Sequence, residues 1–190
     1  MKQLRIALII WDQFTDLDLF LPWDLLNRVR LYGGITDWEV TILGSDSMHL
    51  SDAGLPVATM GRLEEVKSAD AVLFTSGRKV PELINDPSFL SRFQLDPTRQ
   101  YIGAMCSGTL ILAALGLLQN REATTYPTRR ELLRSFGVTV VDQPFVSQDH
   151  VATAAGCLAA TQMSNWIIGA LAGEEMISTV MQTVEPVSPS

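Results

Sequence analysis

The 190-residue sequence is poor in the residues that build metal and disulfide frameworks, with two cysteines, Cys106 and Cys157, and two histidines, His49 and His150. Two cysteines cannot make a disulfide scaffold, and no Cys or His spacing matches a zinc site. Neither a metal nor another cofactor is therefore expected, and a reducing cytoplasm suits the chain. Positive charge is also short. Fourteen basic against twenty-one acidic residues give a net charge of −7, so no general field attracts phosphate backbones or anionic lipid, and no nucleic-acid partner is expected. Repeats, low-complexity stretches and linkers are absent, and 47% hydrophobic residues fit a single globular domain, expected over residues 1–173 with a loose tail over 174–190. Long apolar runs are few. The N-terminal MKQLRIALIIWD is closed by Asp12 and lacks a small-residue cleavage site, so no signal peptide is expected. Residues 100–120 carry no charge, but Gly103, Ser107, Gly108 and Thr109 interrupt them. A buried strand, a tight turn and a buried helix fit that segment better than a membrane span.

What is present alternates between strand and helix patterns. Residues 4–11, 38–43, 70–75, 100–105 and 138–141 read as strands. Residues 48–59 and 145–155 read as hairpins. Leu17, Leu21, Leu25 and Val29 recur every four residues and predict a helix, with Pro22 near its start because proline is tolerated in a first turn. Further helices are predicted over 80–84, 87–93, 107–118, 128–136 and 158–172, the last ended by Gly173. This rhythm predicts an α/β fold, a doubly wound parallel sheet with helices on both faces, whose ligands bind outside the carboxyl ends of the strands.

One of those strand ends carries the most specific signal. In GAMCSGT, residues 103–109, Gly108 lets the chain reverse sharply from strand into helix and would hold Cys106 at an elbow above the sheet. A thiol there would lie at a helix N-terminus, where free amides favour the thiolate. The alternative is a small buried hydrophobe, the commoner fate of a free cysteine. A Cys-His catalyst would want an imidazole beside the thiol, yet His49 falls near a hairpin and His150 beside a turn, both expected in solvent. Carboxyl groups follow the first strand instead. Asp18 lies between Leu17 and Leu19, where desolvation would keep it partly protonated. Asp16 reads as a helix cap and Asp24 as a solvated position. Cys157, at the start of the last helix, reads as structural in preference to catalytic.

The AMCSG elbow, together with LDL over 17–19 and PWD over 22–24, resembles the ThiJ/PfpI superfamily, which includes the parkinsonism-associated deglycase, over residues 4–172. The resemblance implies a class I glutamine amidotransferase-like, flavodoxin-like fold. It also implies Cys106 as nucleophile or redox sensor and Asp18 as the acid hydrogen-bonded to it. The backbone amides of Gly77 and Ser107 would form an oxyanion pocket, with Ser76 replacing the usual first glycine. GLLQNREATT over 116–125 is similar to the isonitrile hydratase branch and to the sensor domains of AraC-type regulators. The chain departs from that branch in its pocket, with Tyr126 for the usual His, Pro127 for Trp, and TAAG ending at Gly156 for a glycine-rich run. The expected activity is a cysteine-dependent lyase that hydrates isonitriles to N-substituted formamides. The alternatives are glyoxalase or deglycase action and an oxidant-sensing or ligand-binding module without turnover. The resemblance further implies a homodimer with a small-molecule substrate. An attached DNA-binding region is not expected in the seventeen residues after Gly173.

Overall fold

Residues 6–10 are wholly apolar and wholly buried, and residues 6–9 lie in an interior strand of the sheet. The structure, a computed structural model, describes residues 3–186. The strands are β1 (Leu4–Ile9), β2 (Trp38–Gly44), β3 (Met48–Leu50), β4 (Pro56–Ala58), β5 (Gly61–Arg62), β6 (Ala71–Phe74), β7 (Tyr101–Met105), β8 (Glu122–Ala123), β9 (Thr139–Val140), β10 (Phe145–Gln148) and β11 (Val151–Ala154). The helices are α1 (Asp16–Leu31), α2 (Val80–Leu83), α3 (Pro87–Leu90), α4 (Thr109–Ala114), α5 (Arg130–Ser135), α6 (Ala160–Ala172) and α7 (Glu174–Met181). Seven strands make the main sheet in the order β10-β11-β7-β6-β1-β2-β5, parallel throughout except for the β10–β11 hairpin. The expected flavodoxin-like α/β architecture is the one observed.

Alternation along β1 divides the core. Ile6 and Leu8 pack with Leu19, Leu25, Met163, Ile167 and Val180 from α1, α6 and α7, whereas Ala7 and Ile9 pack with Val80, Phe89, Leu110 and Leu133 from α2 to α5. A strand buried on both faces needs this unbroken apolar character, which marks it as central. The order also places the carboxyl ends of β1, β6, β7 and β11 side by side, and the loops that follow them meet there.

Three expectations need correction. The first helix begins at Asp16 rather than near Pro22, which is its seventh residue. Proline cannot donate to the carbonyl four residues back, so the Asp18 carbonyl loses its helical partner, but burial of Leu19, Leu25, Leu26 and Val29 keeps the helix together. Thr15, not Asp16, occupies the cap position, and Asp16 accepts instead from the Ala53 amide. The segment after Gly173 is not loose where it is described. Residues 174–181 form α7, whose Val180 is fully buried; residues 187–190 lie outside the described part. No described helix is long and apolar enough to cross a membrane, and residues 101–114 are divided between β7, a turn and α4.

Candidate functional site

The site starts from a conflict in backbone geometry that the sequence resolves with one glycine. β7 ends extended at Met105, and Cys106 then takes φ 54°, left-handed and unusual for a residue with a Cβ. A 3-10 turn over Cys106–Gly108 leads directly into α4. A Cβ on Gly108 would lie 2.0 Å from the Thr75 carbonyl oxygen, so only glycine lets the turn press against the end of β6. Buried threonines pin the elbow from the far side. Thr125 donates to the Cys106 carbonyl at 2.8 Å, and Thr109 donates to the Thr124 carbonyl at 3.0 Å. The strained residue is thus held by its surroundings, the usual condition for strain to persist at a functional position.

The loop after β1 closes the other side. A Cβ on Gly77 would meet the Gln13 carbonyl at 2.3 Å, and this close approach lets residues 76 and 77 bridge to residues 13–15. The Thr15 amide donates to the Ser76 carbonyl and the Ser76 hydroxyl to Thr15 Oγ1, each at 2.8 Å. α1 starts at this point, which turns Asp18 inward. Its side chain is fully buried, and neither carboxylate oxygen has a hydrogen bond of normal geometry. Burial raises its pKa, and the nearby Ser76 and Cys157 offset this only in part.

Cys106, Cys157 and Asp18 bring their sulfur and carboxylate atoms within 4.8 Å of one another. Cys106 is 9% exposed, and Cys157, which opens the 3-10 turn before α6, is half-buried. The Cys157 thiol donates toward the Cys106 sulfur, and this contact lowers the pKa of Cys106 despite its burial and the facing Asp18. The Ser107 amide and the Ser76 hydroxyl act in the same direction. Cys157 is pushed strongly upward, first by its hydrogen bond to Cys106 and then by burial. The two thiols are therefore shifted in opposite directions, Cys106 toward the thiolate and Cys157 away from it. The three residues also offer the donor set through which the site could take a thiophilic ion.

Both sulfurs line a cavity of about 300 Å³ with Thr15, Ser76, Gly77, Ser107, Tyr126 and Arg129. A more open hollow of about 760 Å³, lined by Tyr101, His150 and Trp166 among others, shares none of these residues and holds no nucleophile. The sequence-derived candidates Cys106, Asp18, Gly77, Ser107 and Tyr126 thus converge, with Tyr126 about half exposed at 46%. Gly156 stands one residue before Cys157, and it is Cys157 that lines the cavity. The Gly77 amide points at Ser107 Oγ over 3.4 Å, a long contact that a substrate atom could replace. The Ser107 amide faces the Cys106 sulfur.

Two readings change. Asp18 does not hydrogen-bond Cys106: neither of its oxygens has a partner of normal geometry, and it lies beside both sulfurs in a cluster within 4.8 Å. His49 is not in solvent. It is 2% exposed, with Nδ1 3.1 Å from Asp12 Oδ1, because alternate residues of a short strand face inward and the glycine at 44 leaves it room. His150 is half-buried against the Tyr101 ring at 4.4 Å, and no histidine lines the thiol cavity. The participant that sequence reasoning missed is Cys157. Its signal was its place after β11, but only the strand order puts β11 beside β7.

Comparison with known proteins agrees with this architecture. The DJ-1/PfpI family model matches residues 4–170. An isonitrile hydratase of Pseudomonas putida is 26% identical over 184 residues, covering 96% of this chain and 78% of the relative. The glutathione-independent glyoxalase DJ-1 of Schizosaccharomyces pombe is 24% identical, covering 80% and 83%. Among solved structures, a ThiJ/PfpI family protein from Pseudomonas syringae superposes with a TM-score of 0.85 at 22% identity, covering all of this chain and 78% of the other. S. pombe DJ-1 superposes at 0.80 and 18% identity, covering 97% and 100%.

Proposed function

The chain belongs to the DJ-1/PfpI family, and we propose that it is a cysteine-dependent enzyme acting on a small electrophilic carbon, most specifically an isonitrile hydratase-like lyase. The observation that carries this reading is the placement of Cys106 on a strained elbow, its pKa lowered, beside a buried and unpartnered Asp18 at a cavity of about 300 Å³. Similarity to the P. putida isonitrile hydratase over nearly the whole chain supports the substrate class.

The chemistry needs one nucleophile and one proton. The Cys106 thiolate adds to the terminal carbon of the isonitrile, and Asp18, whose pKa is raised by burial, supplies the proton for that carbon through the neighbouring Cys157 thiol. The product is a thioimidate on Cys106. Water adds to the same carbon and nitrogen is protonated; collapse then expels the thiolate and releases the N-substituted formamide, while a proton returns to Asp18. The Ser107 and Gly77 amides stabilise negative charge near the sulfur. Tyr126 offers a phenol hydroxyl where an imidazole would be a base, and it serves as a hydrogen-bond donor to the substrate.

The proposed setting is a reducing cytoplasm, which keeps both thiols free, and the proposed working unit is a homodimer. The test is a rate comparison on aliphatic isonitriles and on 2-oxoaldehydes for the protein and its Cys106→Ala variant. Formamide production lost with the thiol supports the reading. Equal rates for protein and variant on both substrates overturn it, and thiol-dependent turnover of 2-oxoaldehydes alone assigns the site to glyoxalase chemistry instead.

A further inference from the structure

From the juxtaposition of the two sulfurs we infer that Cys157 is a resolving cysteine: a hydroperoxide that oxidises Cys106 is discharged through a reversible Cys106–Cys157 disulfide. The inference is independent of what carbon substrate the site takes. It rests on three observations. The sulfurs belong to a group whose atoms lie within 4.8 Å of one another, and both cysteines line the same cavity. Asp18 points two unpartnered, fully buried oxygens at them. The two cysteines differ in constraint. Cys106 is fixed by the Thr125 hydroxyl and by the close approach of Gly108 to Thr75. Cys157 follows Gly156, where an added Cβ would meet no atom within 4 Å, and precedes Leu158, which is 76% exposed. The approach to a disulfide length of about 2.05 Å thus falls to the Cys157 side, where there is space.

The electrons and protons balance within these three groups. The Cys106 thiolate attacks the outer oxygen of the hydroperoxide; the O–O bond breaks, an S–O bond forms, and the departing alkoxide takes the Asp18 proton. Cys106 is now a sulfenic acid and Asp18 a carboxylate. Asp18 then accepts the Cys157 proton, and the new thiolate attacks the Cys106 sulfur. The S–O bond breaks as the S–S bond forms, and the expelled hydroxide leaves as water with the proton from Asp18. Two thiols have been oxidised, one hydroperoxide reduced to an alcohol and water, and a dithiol reductant restores the pair. A lone cysteine at this elbow would instead proceed to sulfinic and sulfonic acids.

The experiment treats the reduced full-length protein with one equivalent of hydrogen peroxide in chelator-containing buffer, followed by peptide mass spectrometry without reductant. The expected result is a Cys106–Cys157 cross-linked peptide, short of two hydrogens, that a dithiol returns to two free thiols. Cys157→Ser and Cys157→Ala should both divert Cys106 to sulfinic and sulfonic acids that the dithiol does not reverse, and Cys106→Ser should leave Cys157 free. Accumulation of Cys106 sulfinic acid in the unmodified chain without the cross-link would overturn the inference, as would a cross-link between two copies. Because the unmodified chain decides these outcomes, they do not depend on how well the variants fold.

Discussion

The sulfurs of Cys157 and Cys106 lie within 4.8 Å of each other, and the two side chains come from segments that follow adjacent parallel strands, β11 and β7. The Cys157 thiol is the largest influence lowering the Cys106 pKa, and no histidine lines the cavity that the two cysteines share. The difference matters chemically. A thiol donor stabilises the thiolate without carrying positive charge, and its own strongly raised pKa keeps it protonated.

The first prediction concerns that donor. Replacing Cys157 with alanine removes the main cause of the lowered Cys106 pKa, so the acidic limb of the kcat/KM profile moves to higher pH, toward the ordinary thiol value of 9.0. Activity at pH 7 falls accordingly. Cys157→Ser retains a hydroxyl donor and should restore part of the shift, which a purely structural role for Cys157 would not produce.

Asp18→Asn should separate thiol reactivity from turnover. Where Asp18 is ionised, at the higher end of the pH range, its charge disfavours the Cys106 thiolate, so its removal makes the thiolate more accessible there, yet the proton donor that acts at lower pH is lost and kcat should fall about 100-fold. Alkylation measured beside turnover would show the two moving in opposite directions. A matching effect is expected on stability. The folded pKa of Asp18 lies above the ordinary aspartate value of 3.8, so the folded state binds the proton more tightly than the unfolded chain. That stabilisation is complete below pH 3.8 and is lost as pH rises through the raised value; thermal melts of Asp18→Asn should lack this decline.

Much of this arrangement could be read from residues alone, for identifiable reasons. The apolar runs at residues 6–10, in β6 and in β7 mark strands covered on both faces, and GAMCSGT marks the elbow because the turn tolerates only glycine against Thr75. The hydrophobic position of Asp18 between two leucines anticipated its burial. What was hidden depends on contacts between distant segments. Pro22 suggested a helix start because local propensity disfavours it in an interior, but packing on Leu19, Leu25 and Leu26 outweighs that cost. The burial of His49 depends on the Asp12 carboxylate and on Gly44. Cys157 joins the site only because β11 pairs with β7, and pairing order is not written in local periodicity.

Gly108→Ala tests the elbow. With the new Cβ placed 2.0 Å from the Thr75 carbonyl, the backbone at the turn must move, and the loss of stability should be about 2–3 kcal/mol in denaturant unfolding. Cys106 reactivity should fall with it, since the thiol no longer sits against the Ser107 amide.

Tyr126→Phe probes the substrate contact at the cavity mouth. Tyr126 is 46% exposed and lines the cavity without belonging to the thiol and acid cluster, so its hydroxyl should affect binding more than chemistry. The expected outcome is a severalfold rise in KM for isonitriles with kcat little changed and the pH profile unmoved.

The most direct test of the account is the pH dependence of Cys106 alkylation in the reduced protein, followed by iodoacetamide labelling and peptide mass spectrometry that resolves Cys106 from Cys157. The account predicts a midpoint for Cys106 clearly below the ordinary thiol value of 9.0, with Cys157 unlabelled throughout the same range. A Cys106 midpoint at or above 9.0, or Cys157 labelling at the lower pH, would contradict it.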